Sequence, residues 1–181
     1  KFLQWQDPER AGKRWVTKTP GHLAALDALL AVFPEAQLIM THRDPLHTAP
    51  SYCSMVVALH ELSAAQLDRV EVGRFTARRW AEMLERFTHL RDEVGESRFI
   101  DVAYQDLVKD PLGQWRRVLQ RLGEPVTPAA ERAAEQWLRE NGREKRGAHH
   151  YTLDEFGLTR SALEEWFAAY RTRFIQPSES V

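Results

Sequence analysis

In the first third of the chain, short apolar runs alternate with segments in which apolar residues recur at helical spacing. Residues 15–17 and 37–40 form β-prone or apolar runs of strand length. Between these runs, apolar residues recur along one helix face: Leu23, Leu26, Leu30 and Phe33. The pattern predicts a strand, a helix, a strand and a helix between residues 14 and 51, as in an α/β protein.

The predicted helix starts carry a capping residue followed by proline. Three such pairs occur: Thr19 with Pro20, Asp44 with Pro45, and Asp110 with Pro111. The oxygen of the first residue caps the helix, and the fixed φ of proline suits the first helical position. Pro50 lies inside the second predicted helix and is expected to delay or kink it.

The rest of the chain is predicted to be mostly helical. Residues 52–62 are apolar and expected to be buried. Residues 67–94 form a long amphipathic helix that Ser63 caps and that Gly73 interrupts. A third strand is predicted at 98–102. Further helices are predicted from Pro111 to Gly123, from Pro128 to Glu140 and over residues 160–174.

Reactive side chains follow both early strands, where ligands of open α/β sheets bind. Lys18 and His22 lie at the first strand end, and the helix N-terminus there favours an anion and a neutral, proton-accepting imidazole. Arg43 ends the second strand and offers a planar fork for phosphate, with Ser51 on the next helix. The alternative is that Lys18 and His22 are ordinary exposed polar residues and that Arg43 forms a surface pair with Asp44.

A second basic stretch lies after the helix that ends near Glu140. It contains Arg143, Lys145, Arg146, His149 and His150, with Gly147 among them. A flexible basic loop of this kind can close over a phosphorylated nucleotide. A solvated run of charges is the alternative interpretation.

Composition narrows the class of protein. The 181 residues, 43% hydrophobic, suit one domain spanning 1–181. A net charge of −1 argues against nucleic-acid binding. Cys53 is the sole cysteine, which excludes an internal disulfide and a thiolate metal cluster. With no apolar run of membrane-spanning length and no signal peptide, we expect a cytoplasmic protein.

Three motifs together resemble the bacterial branch of the sulfotransferase superfamily, whose donor is 3′-phosphoadenosine 5′-phosphosulfate (PAPS). They are KTPGH, FPEAQLIMTHRDP with a serine eight residues after the arginine, and YQDLVKDP. The resemblance covers residues 2–174. It implies an α/β, P-loop-NTPase-like three-layer sandwich with a short parallel sheet and a predominantly helical C-terminal half.

The resemblance also implies roles for the residues. Arg43 and Ser51 would bind the 3′-phosphate of PAPS, Lys18 would stand near the transferring sulfuryl group, and His22 would be the base for an acceptor hydroxyl. The acceptor would be a small molecule, a lipid or a carbohydrate, and no metal would be needed. Tyr104 and Asp106 would be structural. The basic loop would contact the 3′-phosphate through Arg143, Lys145, Arg146, Gly147 and His149.

One departure from the family concerns the loop that cradles the 5′-phosphosulfate. None of the nine glycines falls in a GxxxxGK[ST]-like cluster. We therefore expect this chain to be the C-terminal part of a sulfotransferase domain, binding the donor weakly by itself. Two alternatives stay open: a P-loop type nucleotide-dependent phosphotransferase, and a degenerate, non-catalytic sulfotransferase-like domain.

Overall fold

The computed structural model describes residues 14–62, 66–142 and 151–175. Within these ranges lie two strands, β1 (Leu38–His42) and β2 (Phe99–Ala103). Eight α-helices accompany them: α1 (Leu26–Val32), α2 (Pro45–Glu61), α3 (Arg69–Val94), α4 (Tyr104–Lys109), α5 (Pro111–Arg121), α6 (Pro128–Glu140), α7 (Arg160–Trp166) and α8 (Ala168–Phe174). Short 3-10 turns cover Pro20–Ala25, Glu96–Arg98 and Asp154–Phe156. The predicted fold class, α/β with a short parallel sheet and mostly helical content, is confirmed.

The two strands are parallel and in a register that runs from Leu38 opposite Phe99 to His42 opposite Ala103. Their carboxyl ends therefore meet at one edge of the sheet. The strand predicted at 15–17 is wrong, because residues 14–19 adopt no regular structure and Val16 is 82% exposed. β-propensity by itself does not make a strand, since the stability of a strand comes from pairing and packing.

The capping residues define the helix starts as predicted. Thr19 accepts the Gly21 N–H, Asp44 the Leu46 N–H and Asp110 the Gly113 N–H. The turn after Thr19 is a 3-10 helix that passes into α1 at Leu26. Pro50 lies inside α2 but neither delays nor ends it, since α2 begins at Pro45 and runs unbroken to Glu61.

Helix α3 differs from its prediction at two points. Asp68 caps it by accepting the N–H groups of Val70 and Glu71, whereas the predicted cap, Ser63, lies outside the described residues. Gly73 does not interrupt the helix, which runs unbroken through it, and it lies against Phe156 in the core. The preceding helix is exposed towards its end, with Leu59 60% and Leu62 84% exposed, so residues 52–62 are only partly buried.

Replacing Gly73 by alanine is expected to destabilise the fold by up to about 2 kcal/mol, because overpacking costs about 1–3 kcal/mol and the gain in helix propensity offsets about 1 kcal/mol of it. An added Cβ would lie 2.5 Å from the Cβ and 2.7 Å from the backbone oxygen of Phe156. Urea unfolding of both proteins measures the effect. Gly142→Ala is the control, since its nearest neighbouring atom would be 4.0 Å away; equal stability of wild type and Gly73→Ala would refute this account.

The core lies where α3 packs against α2, α7, α8 and the turn at Asp154–Phe156. Its largest fully buried side chains include Phe156, Phe167, Leu84, Leu158 and Leu163. The helix predicted over 160–174 is two helices, because Phe167 leaves helical geometry with φ −103° and ψ 9°. Its ring is buried and packs edge-on to Trp80 at 5.1 Å between centroids, so the break lies at a core position. None of the helices in the described ranges is long and apolar enough to cross a membrane.

Candidate functional site

Arg43 and Tyr104 leave the sheet side by side, each as the first residue after its strand. The Arg43 guanidinium lies over the Tyr104 ring, 4.4 Å from its centroid, a cation–π contact that orients the planar fork. Arg43 is otherwise exposed. The family resemblance implies a structural role for Tyr104 and does not indicate this contact, although the position of Tyr104 directly after β2 matches that of Arg43 after β1.

Asp44 turns into the protein, where only 4% of its side chain is exposed. One carboxylate oxygen accepts the Leu46 N–H at 3.0 Å, and Arg171 of α8 donates to both oxygens at 3.0 and 3.1 Å. The alternative of an Arg43–Asp44 surface pair is therefore wrong. Among the residues that the structure describes, Arg43 has no acidic partner, so its charge remains available to an anion.

The other predicted site residues lie in two separate regions, α2 and the segment around Thr19. Ser51 is exposed on the second turn of α2. Lys18 is exposed in the segment before the Thr19 cap, and His22 lies half-buried three residues after it, with its N–H donating to the Thr19 carbonyl at 3.3 Å. Within the described ranges, no hydrogen bond or ion pair joins Lys18 and His22 to Arg43 and Ser51. The predicted loop residues Arg143, Lys145, Arg146, Gly147 and His149 lie outside the described residues.

A buried polar network that sequence analysis missed lies behind Arg43. His42, the last residue of β1, is 3% exposed and stacks on Phe174 at 4.6 Å between centroids. Its Nε2 lies 2.8 Å from an Asp101 carboxylate oxygen and its Nδ1 lies 2.8 Å from the Tyr170 hydroxyl. Because an ionised carboxylate only accepts, Nε2 carries the proton and Nδ1 accepts the Tyr170 O–H.

Arg91 of α3 extends the network with a side chain that is 4% exposed. It donates to both Asp101 oxygens, at 2.7 and 2.6 Å, and to Glu96 at 3.0 and 2.9 Å. Arg173 of α8 pairs with Glu96 at 2.8 Å and with Asp92 at 2.7 Å. The network thus joins β1, β2, α3 and α8 through charge-assisted hydrogen bonds.

Burial and hydrogen bonding shift the pKa values in this network. Burial lowers the pKa of His42 and outweighs the opposing effect of the Asp101 carboxylate, so the imidazole is neutral. Burial alone would raise the pKa of Asp101, but the hydrogen bonds from Arg91 and His42 hold it below its usual range. The hydrogen bond from Arg91 likewise lowers the pKa of Glu96.

The free energy of unfolding is expected to fall as the pH drops below 6.5, the ordinary pKa of histidine. Below this pH, His42 binds a proton in the unfolded chain but stays neutral in the folded protein. The free energy of unfolding then falls with a slope approaching about 1.4 kcal/mol per pH unit. Above 6.5 this contribution is fully present. A second loss follows below the ordinary pKa of 3.8 of Asp101, because the folded protein holds that carboxylate ionised.

Urea unfolding as a function of pH measures the slope. His42→Gln should flatten it between about pH 7 and pH 5. His47→Gln, which removes an exposed histidine of α2, serves as the control. Identical slopes for wild type and His42→Gln would contradict the assignment to His42.

A shallow groove of about 260 Å³ lies at the opposite, amino edge of the two strands. It is lined by Leu30, Pro34, Val94 and Arg98, of which Pro34 and Arg98 precede β1 and β2. It does not include Arg43 or Ser51. In the described part of the chain, no three His, Cys, Asp or Glu side chains converge on a metal position.

A family profile and the curated relatives that match this chain all describe sulfotransferases. The profile described as "Sulfotransferase family" matches residues 1–128. Omega-hydroxy-beta-dihydromenaquinone-9 sulfotransferase Stf3 from Mycobacterium bovis and from Mycobacterium tuberculosis is 31% identical over 115 residues, which cover 63% of this chain and 30% of the relative.

Two solved structures are also similar. Sulfotransferase STF9 from Mycobacterium avium matches with a TM-score of 0.81 and 33% identity over 89% of this chain. Sulfotransferase STF1 from Mycobacterium tuberculosis matches with a TM-score of 0.75 and 32% identity over 90% of this chain. This chain covers 42% of the first structure and 41% of the second.

Proposed function

The chain belongs to the sulfotransferase family, and from this premise we propose that it transfers a sulfuryl group from PAPS to an acceptor hydroxyl. The observation that carries the proposal is Arg43, an exposed arginine at a strand end that Tyr104 orients and whose acidic neighbour is paired elsewhere. Relatives named as sulfotransferases favour this activity over the phosphotransferase alternative.

Arg43 and Ser51 would hold the 3′-phosphate of the donor. Arg43 supplies a charge-assisted fork and Ser51 a hydroxyl donor, both exposed near the start of α2. The residues present thus fit a phosphate group. Arg143, Lys145, Arg146, Gly147 and His149 would close on the same phosphate as a basic loop.

Lys18 and His22 would carry the chemistry. The acceptor oxygen attacks the sulfur while His22 takes the hydroxyl proton. The bond between the sulfur and the 5′-phosphate oxygen breaks, and Lys18 offsets the charge that develops on that leaving oxygen. The products are a sulfate ester and adenosine 3′,5′-bisphosphate. No step requires a metal ion.

The acceptor class is drawn from the relatives. Stf3 is named for a hydroxylated menaquinone, which supports a lipid alcohol among the small-molecule, lipid and carbohydrate acceptors. We further propose that residues 1–181 belong to one domain, supported by a single core cluster that extends from Leu26 to Tyr170. A cytoplasmic location accords with the single, buried Cys53.

Calorimetric titration with adenosine 3′,5′-bisphosphate tests the proposal. Arg43→Ala is expected to weaken binding by roughly 10- to 100-fold, because it removes a charge-assisted phosphate contact. The control is Arg86→Ala, which removes an exposed arginine in the middle of α3. Binding of ATP with magnesium in place of the bisphosphate would indicate the phosphotransferase. Binding of neither would indicate either a site that needs the 5′-phosphosulfate loop or the non-catalytic domain.

A further inference from the structure

Helix α8 holds the residues on both sides of Arg43. Tyr170 donates its hydroxyl to His42, which precedes Arg43, over 2.8 Å. Arg171, the next residue of α8, pairs with Asp44, which follows Arg43. His42 and Asp44 are each 3% exposed, whereas Arg43 between them is exposed. Two consecutive side chains of one helix therefore fix the backbone from which Arg43 projects.

The pairing of Asp44 has an electrostatic consequence at Arg43. The Asp44 carboxylate is buried next to Arg43, the residue proposed to bind an anion. Its counterion is the Arg171 guanidinium, which donates two hydrogen bonds to it at 3.0 and 3.1 Å. Without Arg171, Asp44 would retain the Leu46 N–H bond but carry an unbalanced charge. That charge would repel an anionic ligand and attract the neighbouring Arg43 guanidinium.

We propose that Arg171 is a positioning residue for donor binding, which neutralises Asp44 and so leaves Arg43 available to the phosphate of the nucleotide. The inference rests on the proposed role of Arg43 and deepens it. Arg171 acts through Asp44, since both ends of its fork are engaged there. Helix α8 is in this way coupled to a site at the end of β1, although Arg171 and Asp44 are 127 residues apart in the sequence.

The test compares four proteins in titration with adenosine 3′,5′-bisphosphate, at a temperature where each is folded. Arg171→Ala should weaken binding about tenfold, because it leaves a like charge beside the phosphate. Adding Asp44→Asn should restore the affinity to within about twofold, since it removes that charge and keeps a capping side chain. Arg173→Ala, on the same helix but paired with Asp92 and Glu96, should bind like the wild type.

A purely structural role would give a different result. Loss of affinity that persists in the Arg171→Ala, Asp44→Asn double variant would overturn the proposal, as would unchanged affinity in Arg171→Ala. A second readout, the NMR signal of the Arg43 Nε–H assigned through Arg43→Lys, needs no nucleotide. It should shift in Arg171→Ala and return in the double variant. If the wild type fails to bind the bisphosphate, this signal still decides whether Arg171 controls Arg43.

Discussion

Replacing His22 by alanine is expected to lower turnover of the sulfuryl transfer by about 10²–10⁴-fold, the usual contribution of a general base. The imidazole lies half-buried in the first turn after the Thr19 cap, where it remains accessible to a substrate. Affinity for adenosine 3′,5′-bisphosphate should change little, because the proposed phosphate ligands are Arg43 and Ser51. The loss should therefore appear in turnover and not in nucleotide binding.

Turnover is measured as transfer of radiolabelled sulfate from PAPS to an alcohol acceptor, alongside the nucleotide titration. His89→Ala, which removes an exposed histidine of α3, serves as the matched control. Retention of turnover within about threefold in His22→Ala would remove His22 as the base, since general-base catalysis contributes far more than that.

Replacing Asp101 by alanine is expected to reduce the free energy of unfolding by about 3 kcal/mol, because it strips a buried guanidinium of its main counterion. The Arg91 side chain is 4% exposed, and Asp101 gives it two of its hydrogen bonds. His42 loses the acceptor of its Nε2 proton in the same substitution. Asp101 is itself 38% exposed, which places the cost at the lower end for a broken buried pair.

Urea unfolding at neutral pH measures this loss. Asp101→Asn keeps an oxygen acceptor but removes the charge, and should fall between Asp101→Ala and the wild type. Asp92→Ala removes an exposed carboxylate at the periphery of the same network and should leave stability unchanged within error. Equal stability of the Asp101→Ala and Asp92→Ala proteins would show that the network contributes nothing beyond its surface ion pairs.

Short stretches of sequence were sufficient to predict the helix starts and the bounds of several elements. The cap-and-proline starts at Thr19, Asp44 and Asp110 were predicted correctly, because a cap needs only a side-chain oxygen and an N–H two or three residues on. Helix α6 also agrees with its prediction, Pro128 to Glu140. The two paired strands were placed within two residues of their observed bounds.

Three features that depend on a distant partner were not predicted correctly. The run at 15–17 has β-propensity, but the described chain provides no pairing for it. The break at Phe167 lies at a position buried against Trp80, a contact that no local pattern reports. The alternative of an Arg43–Asp44 pair was wrong because the real partner, Arg171, lies far along the chain.

The sequence by itself determined the helix starts, the positions of the two observed strands and the family, because spacing, caps and short motifs indicate these features. It also placed Arg43 at a strand end. Only the tertiary structure decided that Tyr104 orients Arg43 and that α8 engages His42 and Asp44 on either side of it. The reason is physical: a buried charge must find its counterion in space, and the chain brings that counterion close only by folding.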